Sequence, residues 1–472
     1  MQTIQNPGLL GRFRRKFIGD KAFYRAVFAL ILPLIVQNTI SNVVNLLDNV
    51  MVGRVGTLQM SGVAICNQLI FVFNLCVFGG LSGAGIYGAQ FSGKRDLEGV
   101  QNVFRFKLWL VGLLSILGVL ALRIFDEPLL SLFLHQGSEQ GDLAMTLRCA
   151  KAYLAVALIG LPVYALSQAY ASTLRETAST TLPMGAGIAA VLVNLVGNWI
   201  LIYGHFGAPR LGVVGAAWAT VLSRFVELAI ILLFTHLNTR AHPFAAGLYR
   251  TVWVPRALTG TIIKKGMPLL VNEALWSLGQ TTLVQIYSTR GLAVVAGINI
   301  SSTISMLFNI VFMSLGASIG IVVGNLLGAG EMEKAKDTNT KLTAFSILCC
   351  FAIGGLLAAT AGVYPRLYNT TEEVRHIASR LILITSVIMP VHAYTNACYF
   401  TLRSGGLTRL TMVYDCCFVW CVCIPLAFGL CRFTSLPIVP VYAAVTATEG
   451  LKALFGYHFV HQEKWVRNIV NE

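Results

Sequence analysis

One carboxylate stands deep inside the first long apolar segment of the chain. Asp48 lies about 21 residues into this segment, fifteen residues after Pro33 and five before Gly53. A charged group in hydrocarbon is costly, so it needs either a partner or a function. Because proline removes a helical hydrogen bond and loosens the helix, we predict that binding of H⁺ or Na⁺ at Asp48 is coupled to helix shape. The structural alternative is an interfacial Asp that ends a helix near Gly53.

Four further residues could complete an oxygen-lined pocket with Asp48. Asn194 and Asn198 lie one helical turn apart in the fifth apolar segment, and Ala216 and Thr220 have the same spacing in the sixth. Residues four apart share a helix face, and amide oxygens suit hard monovalent cations. We therefore predict that these five residues form a cation- or proton-coupling site. Taken alone, each polar member is equally consistent with a hydrogen bond that packs two helices.

A second group of side chains is predicted to bind substrate. Glu273 lies near the middle of the seventh segment, three residues before Trp276, and its counterpart in the first half of the chain is Asn38. A lone carboxylate beside an indole could attract an organic cation or carry a proton. Histidine is a common proton carrier, and His392 corresponds to Tyr164 in the first half, so we include both. The alternative is that neighbouring helices satisfy these groups as packing residues.

Other intramembrane charges are predicted to be structural. Two pairs of opposite charge, spaced by three residues, lie on one face of their helices: Arg224 with Glu227, and Glu449 with Lys452. Pairing is how such charges are tolerated in a membrane. Asp415 lies close to the loop that holds Arg403 and Arg409, so we expect it to pair with one of them.

These residues must be positioned by helices that cross a membrane. The chain has 472 residues, of which 56% are hydrophobic and 12% charged, and no soluble domain could hide so much apolar surface. A helix needs about 20 apolar residues to cross the hydrocarbon core. Twelve such segments occur, at 27–50, 63–90, 104–125, 151–173, 182–204, 212–236, 262–288, 295–327, 340–364, 377–402, 410–431 and 438–460. We predict an all-α polytopic membrane protein with twelve transmembrane helices.

The second half of the chain repeats the first. Identical residues recur at an offset of 235 and, in a later block, of 228; examples are Pro33 with Pro268, Gly56 with Gly291, Gly93 with Gly328, Pro162 with Pro390 and Arg175 with Arg403. Duplicated halves in an apolar chain are typical of secondary transporters. Each half has six spans, an even number, so we predict two six-helix bundles related by a pseudo-twofold axis along the membrane normal. Prolines that kink helices and take part in gating are predicted at Pro33, Pro268 and Pro390.

The placement of positive charge predicts the topology. The formal net charge is +15, and we assign 23 of the 35 Lys and Arg residues to the side that holds both termini. Cytoplasmic loops carry such an excess, so both termini are predicted to be cytoplasmic and nucleic-acid binding is not expected. The predicted regions are a cytoplasmic N-terminal segment at 1–26, an N-lobe at 27–236, a cytoplasmic linker at 237–261, a C-lobe at 262–460 and a cytoplasmic tail at 461–472.

The eleven cysteines predict neither disulfides nor a metal site. Most lie inside apolar segments, where cysteine behaves as a small apolar residue. No pair brackets an external loop, and no CxxC unit occurs. The pocket at Asp48 could still hold a monovalent Na⁺.

Taken together, the motifs resemble those of the multidrug and toxic compound extrusion (MATE) transporters of the multidrug/oligosaccharidyl-lipid/polysaccharide exporter superfamily. The resemblance covers essentially the whole chain, and the order and spacing of the motifs carry it. The matching residues are Pro33, Asp48-Asn-Val-Met-Val-Gly53-Arg-Val-Gly56, Gly88-Ala-Gln90, Gly93, Arg175, Asn194-Leu-Val-Gly-Asn198, Gly215-Ala-Ala-Trp-Ala-Thr220, Gly324-Asn325, Gly328 and Leu402-Arg403-Ser-Gly-Gly406.

The resemblance implies two six-helix bundles around a V-shaped cavity, and export of mostly cationic or amphipathic compounds driven by inward H⁺ or Na⁺ movement. Asp48 matches the acidic residue that the family uses for cation coupling, and Asn194 and Thr220 match other positions of its pocket. The chain departs from the pattern at Asn198, where many members have a second Asp. One carboxylate fewer weakens a Na⁺ site.

We therefore expect a secondary active antiporter that works by alternating access. It would act as a monomer in the bacterial cytoplasmic (inner) membrane, without a cofactor, on a small organic cation or amphipath. One alternative is a lipid-linked saccharide flippase of the same superfamily, which would need a strongly basic central cavity. Another is a membrane-embedded enzyme, but the sequence has no HExxH, no phosphate-binding loop and no credible Ser-His-Asp set.

Overall fold

The computed structural model describes residues 16–131 and 140–471, and no strand occurs among them. Residues 1–15 of the predicted N-terminal segment therefore lie outside the described residues. Short helical turns join the long helices, with one six-residue helix at Asp126–Ser131. The long helices are α1 (Lys21–Gly53), α2 (Thr57–Lys94), α3 (Leu97–Ile124), α4 (Gln140–Glu176), α5 (Thr181–Tyr203), α6 (Val213–Leu237), α7 (Arg256–Ser288), α8 (Leu292–Gly328), α9 (Met332–Thr360), α10 (Glu372–Ser404), α11 (Thr408–Phe433) and α12 (Ile438–His461).

Each predicted span falls on one of these helices. In the part of the chain that the structure describes, 11 helices are long and apolar enough to cross a membrane, and α7 is not among them. Its apolar run is interrupted by Lys264, Lys265 and Glu273, which lower its hydropathy. The all-α, multi-span fold class is confirmed.

Contacts divide the chain into two compact units. The N-terminal unit comprises residues 36–88 and 96–266, and the C-terminal unit comprises the described residues up to 35, residues 89–95 and those from 267 onward. Relative to the predicted lobes at 27–236 and 262–460, two short segments of the first half pack with the second half. The lobe boundaries themselves stay a prediction.

Three long helices, α1, α2 and α7, contribute residues to both units. Pro33 lies two residues before Ile35, where α1 leaves the C-terminal unit, and Pro268 follows Met267, where α7 enters it. Both prolines lie inside continuous helices. Pro390 differs from them, because it is buried within α10, inside the C-terminal unit.

In the C-terminal unit, α10 is the central element, and α8, α9 and α12 all pack on it. The buried residues Leu315, Ile319, Val323 and Leu327 of α8 are spaced by four and belong to the same apolar core as Leu402 of α10. This spacing keeps one face of α8 against its neighbours.

The chain beyond α12 folds back onto the C-terminal unit and joins it to the end of α2. The side chain of Trp465 is 2% exposed. Gln90 is fully buried, and its Nε2 donates to the carbonyl oxygens of Ser404 at 3.0 Å and Arg467 at 3.2 Å. Its Oε1 accepts from the amide of Ile469 at 2.9 Å. The last turn of α2 is thus held from two sides by hydrogen bonds.

Close approach of α8 to the end of α2 requires glycine. A Cβ at Gly328 would lie 1.9 Å from the Gln90 carbonyl oxygen, and one at Gly93 would lie 1.8 Å from the carbonyl oxygen of Asn325. Because backbone atoms cannot yield as a flexible side chain can, we expect Gly328→Ala to destabilise the protein by about 1–3 kcal/mol, measured as a lower Tm in detergent. The control is Gly355→Ala on α9, where a Cβ would meet nothing within 4 Å. A similar loss in both variants would mean that the close approach is not the cause.

In the N-terminal unit, α6 packs on α4 and α5, and the residues between α6 and α7 lie along α3. Three side chains of α3, spaced by four, donate to backbone carbonyls of this connection: Gln101 to Phe244 at 3.1 Å and Ala246 at 2.9 Å, Arg105 to Leu248 at 3.0 Å, and Trp109 to Val252 at 3.0 Å. The predicted linker is therefore fixed to a helix. The helix α7 begins at Arg256, within the residues 237–261 that are predicted as the linker.

Candidate cation site and a second carboxylate cluster

Asp48 lies in the N-terminal unit, on α1, and faces α5. The Nδ2 of Asn198 donates to Asp48 Oδ1 at 2.5 Å, and Asn198 itself is 1% exposed. The structure therefore places Asp48 half-buried and hydrogen-bonded across helices, five residues before α1 ends at Gly53.

Asn194 and Thr220 extend the same cluster. The hydrogen-bonding environment of Asn194 is satisfied when its Nδ2 points toward Asp48, at 2.8 Å from Oδ1 and 3.2 Å from Oδ2, while its oxygen accepts from Thr220 Oγ1 at 3.2 Å. Ala216 is buried one turn before Thr220 on α6 and has no polar side-chain atom to contribute. The four polar residues predicted for this site thus come together from α1, α5 and α6.

The cluster has acceptor capacity left over. Asn198 Oδ1 is buried and has no hydrogen-bond partner in the described part of the chain. Together with the two oxygens of Asp48 it presents oxygen atoms of the kind that bind hard cations. The arrangement can hold a monovalent cation, or a proton on the carboxylate.

The predicted substrate-binding residues fall in different units. Glu273, Trp276 and His392 belong to the C-terminal unit and Tyr164 to the N-terminal unit. Glu273 Oε1 accepts from the hydroxyl of Tyr399 at 3.2 Å, and Trp276, one turn further along α7, is 38% exposed. Their role in substrate binding stays a prediction.

The partner of Asp415 differs from the expected one. Lys452 Nζ lies 2.8 Å from Asp415 Oδ1, and Asn272 Nδ2 donates to Oδ2 at 3.1 Å. The expected pairing of Asp415 with Arg403 or Arg409 is therefore replaced by one with α12. The reason is that α12 packs close to α11 here, which proximity along the sequence cannot reveal.

The expected pair of Glu449 with Lys452 also changes. Glu449 Oε2 accepts from Thr395 Oγ1 at 3.2 Å and lies 3.6 Å from His392 Nδ1. His392 therefore faces a carboxylate of α12, and its ring is stacked on Phe312 with centroids 6.1 Å apart. Glu449 and Lys452 therefore contact residues of α10 and α11, respectively, rather than each other.

The remaining expected pair has the predicted geometry. Arg224 Nη1 lies 3.2 Å from Glu227 Oε2 on α6. The guanidinium also lies over the ring of Tyr164, 4.8 Å from its centroid, in the geometry of a cation–π contact. Tyr164 is thus already engaged by an arginine.

One buried ion pair was not predicted from the sequence, where Lys107 counted only among the 23 positive charges on the side that holds both termini. Lys107 Nζ lies 2.6 Å from both carboxylate oxygens of Glu176, and its side chain is 0% exposed. The hydroxyls of Ser172 and Thr173 lie 3.0 Å from the same nitrogen. A Cβ at Gly88 would collide with the Glu176 carboxylate, so the absence of a side chain there leaves room for the pair.

These features define a multi-span membrane protein in which a carboxylate of one helix is hydrogen-bonded to amides of another. The MatE family model matches residues 33–200 and 268–429, and the chain therefore belongs to the MatE family. Members of this family are transporters, so the chain is a membrane transporter and not an enzyme.

Individual proteins agree with the family match. The chain is 25% identical to "Probable multidrug resistance protein YoeA" of Bacillus subtilis, with 100% of both chains covered. It is 22% identical to "Probable multidrug resistance protein NorM" of Thermotoga maritima, covering 94% of each. The crystal structure of MATE in the bent conformation matches with a TM-score of 0.83 at 19% identity, covering 96% of this chain and 97% of that chain, which supports the fold.

Proposed function

We propose that this protein is an ion-coupled exporter of cationic or amphipathic small molecules, driven by inward movement of H⁺ or Na⁺. It works by alternating access, as a monomer in the bacterial cytoplasmic membrane with both termini in the cytoplasm. Relatives named as multidrug resistance proteins support the substrate class. The positive charge on the side that holds the termini supports the orientation.

The observation that carries the proposal is the convergence of three helices on Asp48. A carboxylate held by two amides, with an unpartnered oxygen of Asn198 beside it, can exist with or without a bound cation. A ligand changes a conformational equilibrium only through different affinities for the two states. The ion and the substrate would therefore favour different conformations.

The test is ethidium efflux in inside-out and right-side-out vesicles, with the Na⁺ and pH gradients imposed separately. We expect transport against the ethidium gradient only when one of the ion gradients is present and has the predicted polarity. Ethidium movement that ignores both gradients would contradict ion coupling.

The Asn198→Asp variant tests which ion the site prefers. In this variant a carboxylate oxygen would replace Asn198 Nδ2, which now lies 2.5 Å from Asp48 Oδ1. Two carboxylates that lie side by side need a cation or a shared proton between them. We expect export to become several-fold more dependent on Na⁺, measured as the ratio of efflux rates with and without a Na⁺ gradient at constant pH. Asn238→Asp, in the connection after α6, is the control. An unchanged ratio in Asn198→Asp would argue against cation binding at this place.

A further inference from the structure

The C-terminal unit contains a largely buried ammonium group paired with a carboxylate, and a second carboxylate lies three residues earlier on the same helix. The side chains of Lys452 and Asp415 are 9% and 16% exposed, and Nζ lies 2.8 Å from Oδ1. The same nitrogen lies over the ring of Tyr414, 5.3 Å from its centroid. A desolvated ammonium needs such partners, because an unpaired charge in this environment is strongly destabilising.

The groups around Lys452 resemble the ligands of a monovalent cation. Glu449 precedes it by three residues on α12, with Thr395 Oγ1 donating to Oε2 at 3.2 Å and His392 Nδ1 at 3.6 Å. Asn272 donates to the second oxygen of Asp415. The ammonium itself contacts Asp415 Oδ1 and the Tyr414 ring, while the hydroxyl of Thr395 and the amide of Asn272 hold the two carboxylates in place. No cluster of three or more His, Cys, Asp and Glu placed to hold a metal ion occurs in the described residues.

The backbone of α11 contributes to this geometry. Over Val413–Cys417 and again over Val419–Cys423 the helix widens to π-type hydrogen bonding, a feature that is frequent at functional sites. Asn272 Oδ1 accepts from the Cys416 amide at 3.2 Å while its Nδ2 holds Asp415. A single amide of α7 therefore fixes both the widened turn and the carboxylate.

The N-terminal unit has different residues at the positions that correspond to Lys452 and its neighbours. At the offset of 228, Lys452 corresponds to Arg224, Thr448 to Thr220, Val422 to Asn194 and Leu426 to Asn198. Arg224 pairs with Glu227 of its own helix, whereas the hydrogen bonds to Asp48 come from amides. One half of the duplication thus surrounds its carboxylate with neutral donors, and the other supplies a covalently attached cation.

We propose that the cluster around Asp415 and Glu449 is a monovalent-cation site whose occupant is the ammonium of Lys452. Because this ammonium is part of the chain, the site does not exchange Na⁺ or K⁺ with solution. Asp48 and Glu273 are then the carboxylates left for the exchangeable coupling ion, a consequence that rests on the proposed function, whereas the occupancy by Lys452 does not.

The test measures cation binding to the purified full-length protein in detergent, at alkaline pH where free carboxylates are ionised. All variants carry Asp48→Asn and Glu273→Gln, which remove the two carboxylates predicted to bind an ion or a cationic substrate. Thermal unfolding and isothermal titration are followed with NaCl, LiCl or KCl against choline chloride. With Lys452 present, we expect no response that is specific to the metal cation.

Adding Lys452→Met, which keeps the length of the side chain but removes its charge, should create a response. We expect one of the cations to raise Tm by roughly 5 °C near saturation, and Asp415→Asn to abolish that rise. Lys452→Arg keeps the positive charge and should show no rise. If Lys452→Met is well folded and insensitive to all three cations, the proposal is wrong.

If the Lys452→Met variant fails to fold, the protein that carries the background substitutions and retains Lys452 still tests the proposal. A cation-specific heat or Tm shift in this protein, which Asp415→Asn removes, would show that the ammonium does not fill the site. Its absence supports the proposal. The readout is binding, so it stays informative even if export proves not to depend on Asp48.

Discussion

Asp48→Asn should reduce ion-driven efflux at least about tenfold, the effect of roughly 1.4 kcal/mol on a rate or equilibrium. An asparagine has nearly the same shape and can still accept the hydrogen bond from Asn198, so the fold should persist. It carries no charge, however, and cannot release a proton or attract Na⁺, so the ion gradient no longer favours one conformation. Efflux of ethidium from vesicles under an imposed gradient measures the loss.

The matched control is Asp337→Asn on α9. Asp337 is exposed, and its partner Lys341 lies 2.6 Å away on the same helix. Such surface pairs contribute little, so efflux should stay near the level of the unchanged protein. Full gradient-driven export by Asp48→Asn would show that the coupling ion binds elsewhere.

Lys107→Met should lower the stability of the protein by about 3–5 kcal/mol, because it leaves the carboxylate of Glu176 buried without its counter-charge. The two groups are 0% and 9% exposed and 2.6 Å apart, and water cannot easily replace the lost partner. In purified protein we expect Tm to fall on the order of 10 °C, with a smaller monodisperse fraction in detergent.

The double variant Lys107→Met with Glu176→Met should recover most of this loss, since replacing a buried ion pair by apolar side chains is often neutral. The control is Lys151→Met, whose pair with Glu127 has side chains 35% and 65% exposed and should matter by less than about 1 kcal/mol. Equal effects of Lys107→Met and Lys151→Met would mean that the buried charge is not the cause.

The helices were largely predictable because an apolar run of span length seldom forms anything except a membrane helix. The cluster at Asp48 was predictable for a related reason: Asn194 and Asn198 must share a face, and a buried carboxylate is rarely without a role. The assignment of their partners across helices followed from the structure, since spacing along one helix says nothing about which neighbour it meets.

The choice of ion-pair partners was the least predictable part. A spacing of three made Glu449 and Lys452 look like a pair, but the π-type turns of α11 bring Asp415 to Lys452, and such turns leave no periodic pattern. Lys107 lies inside the predicted span 104–125, whereas Glu176 follows the predicted span 151–173. Only the extension of α4 to Glu176 brings this carboxylate into a helix that packs on α3.

The helices that serve both units have a mechanical consequence. The Asp48 carboxylate and Pro33 lie on one continuous helix, fifteen residues or about 22 Å apart along its axis, and Pro33 belongs to the other compact unit. Because proline removes a helical hydrogen bond, a bend of α1 would be concentrated at Pro33, fifteen residues from the carboxylate and at the point where the helix passes from one unit to the other.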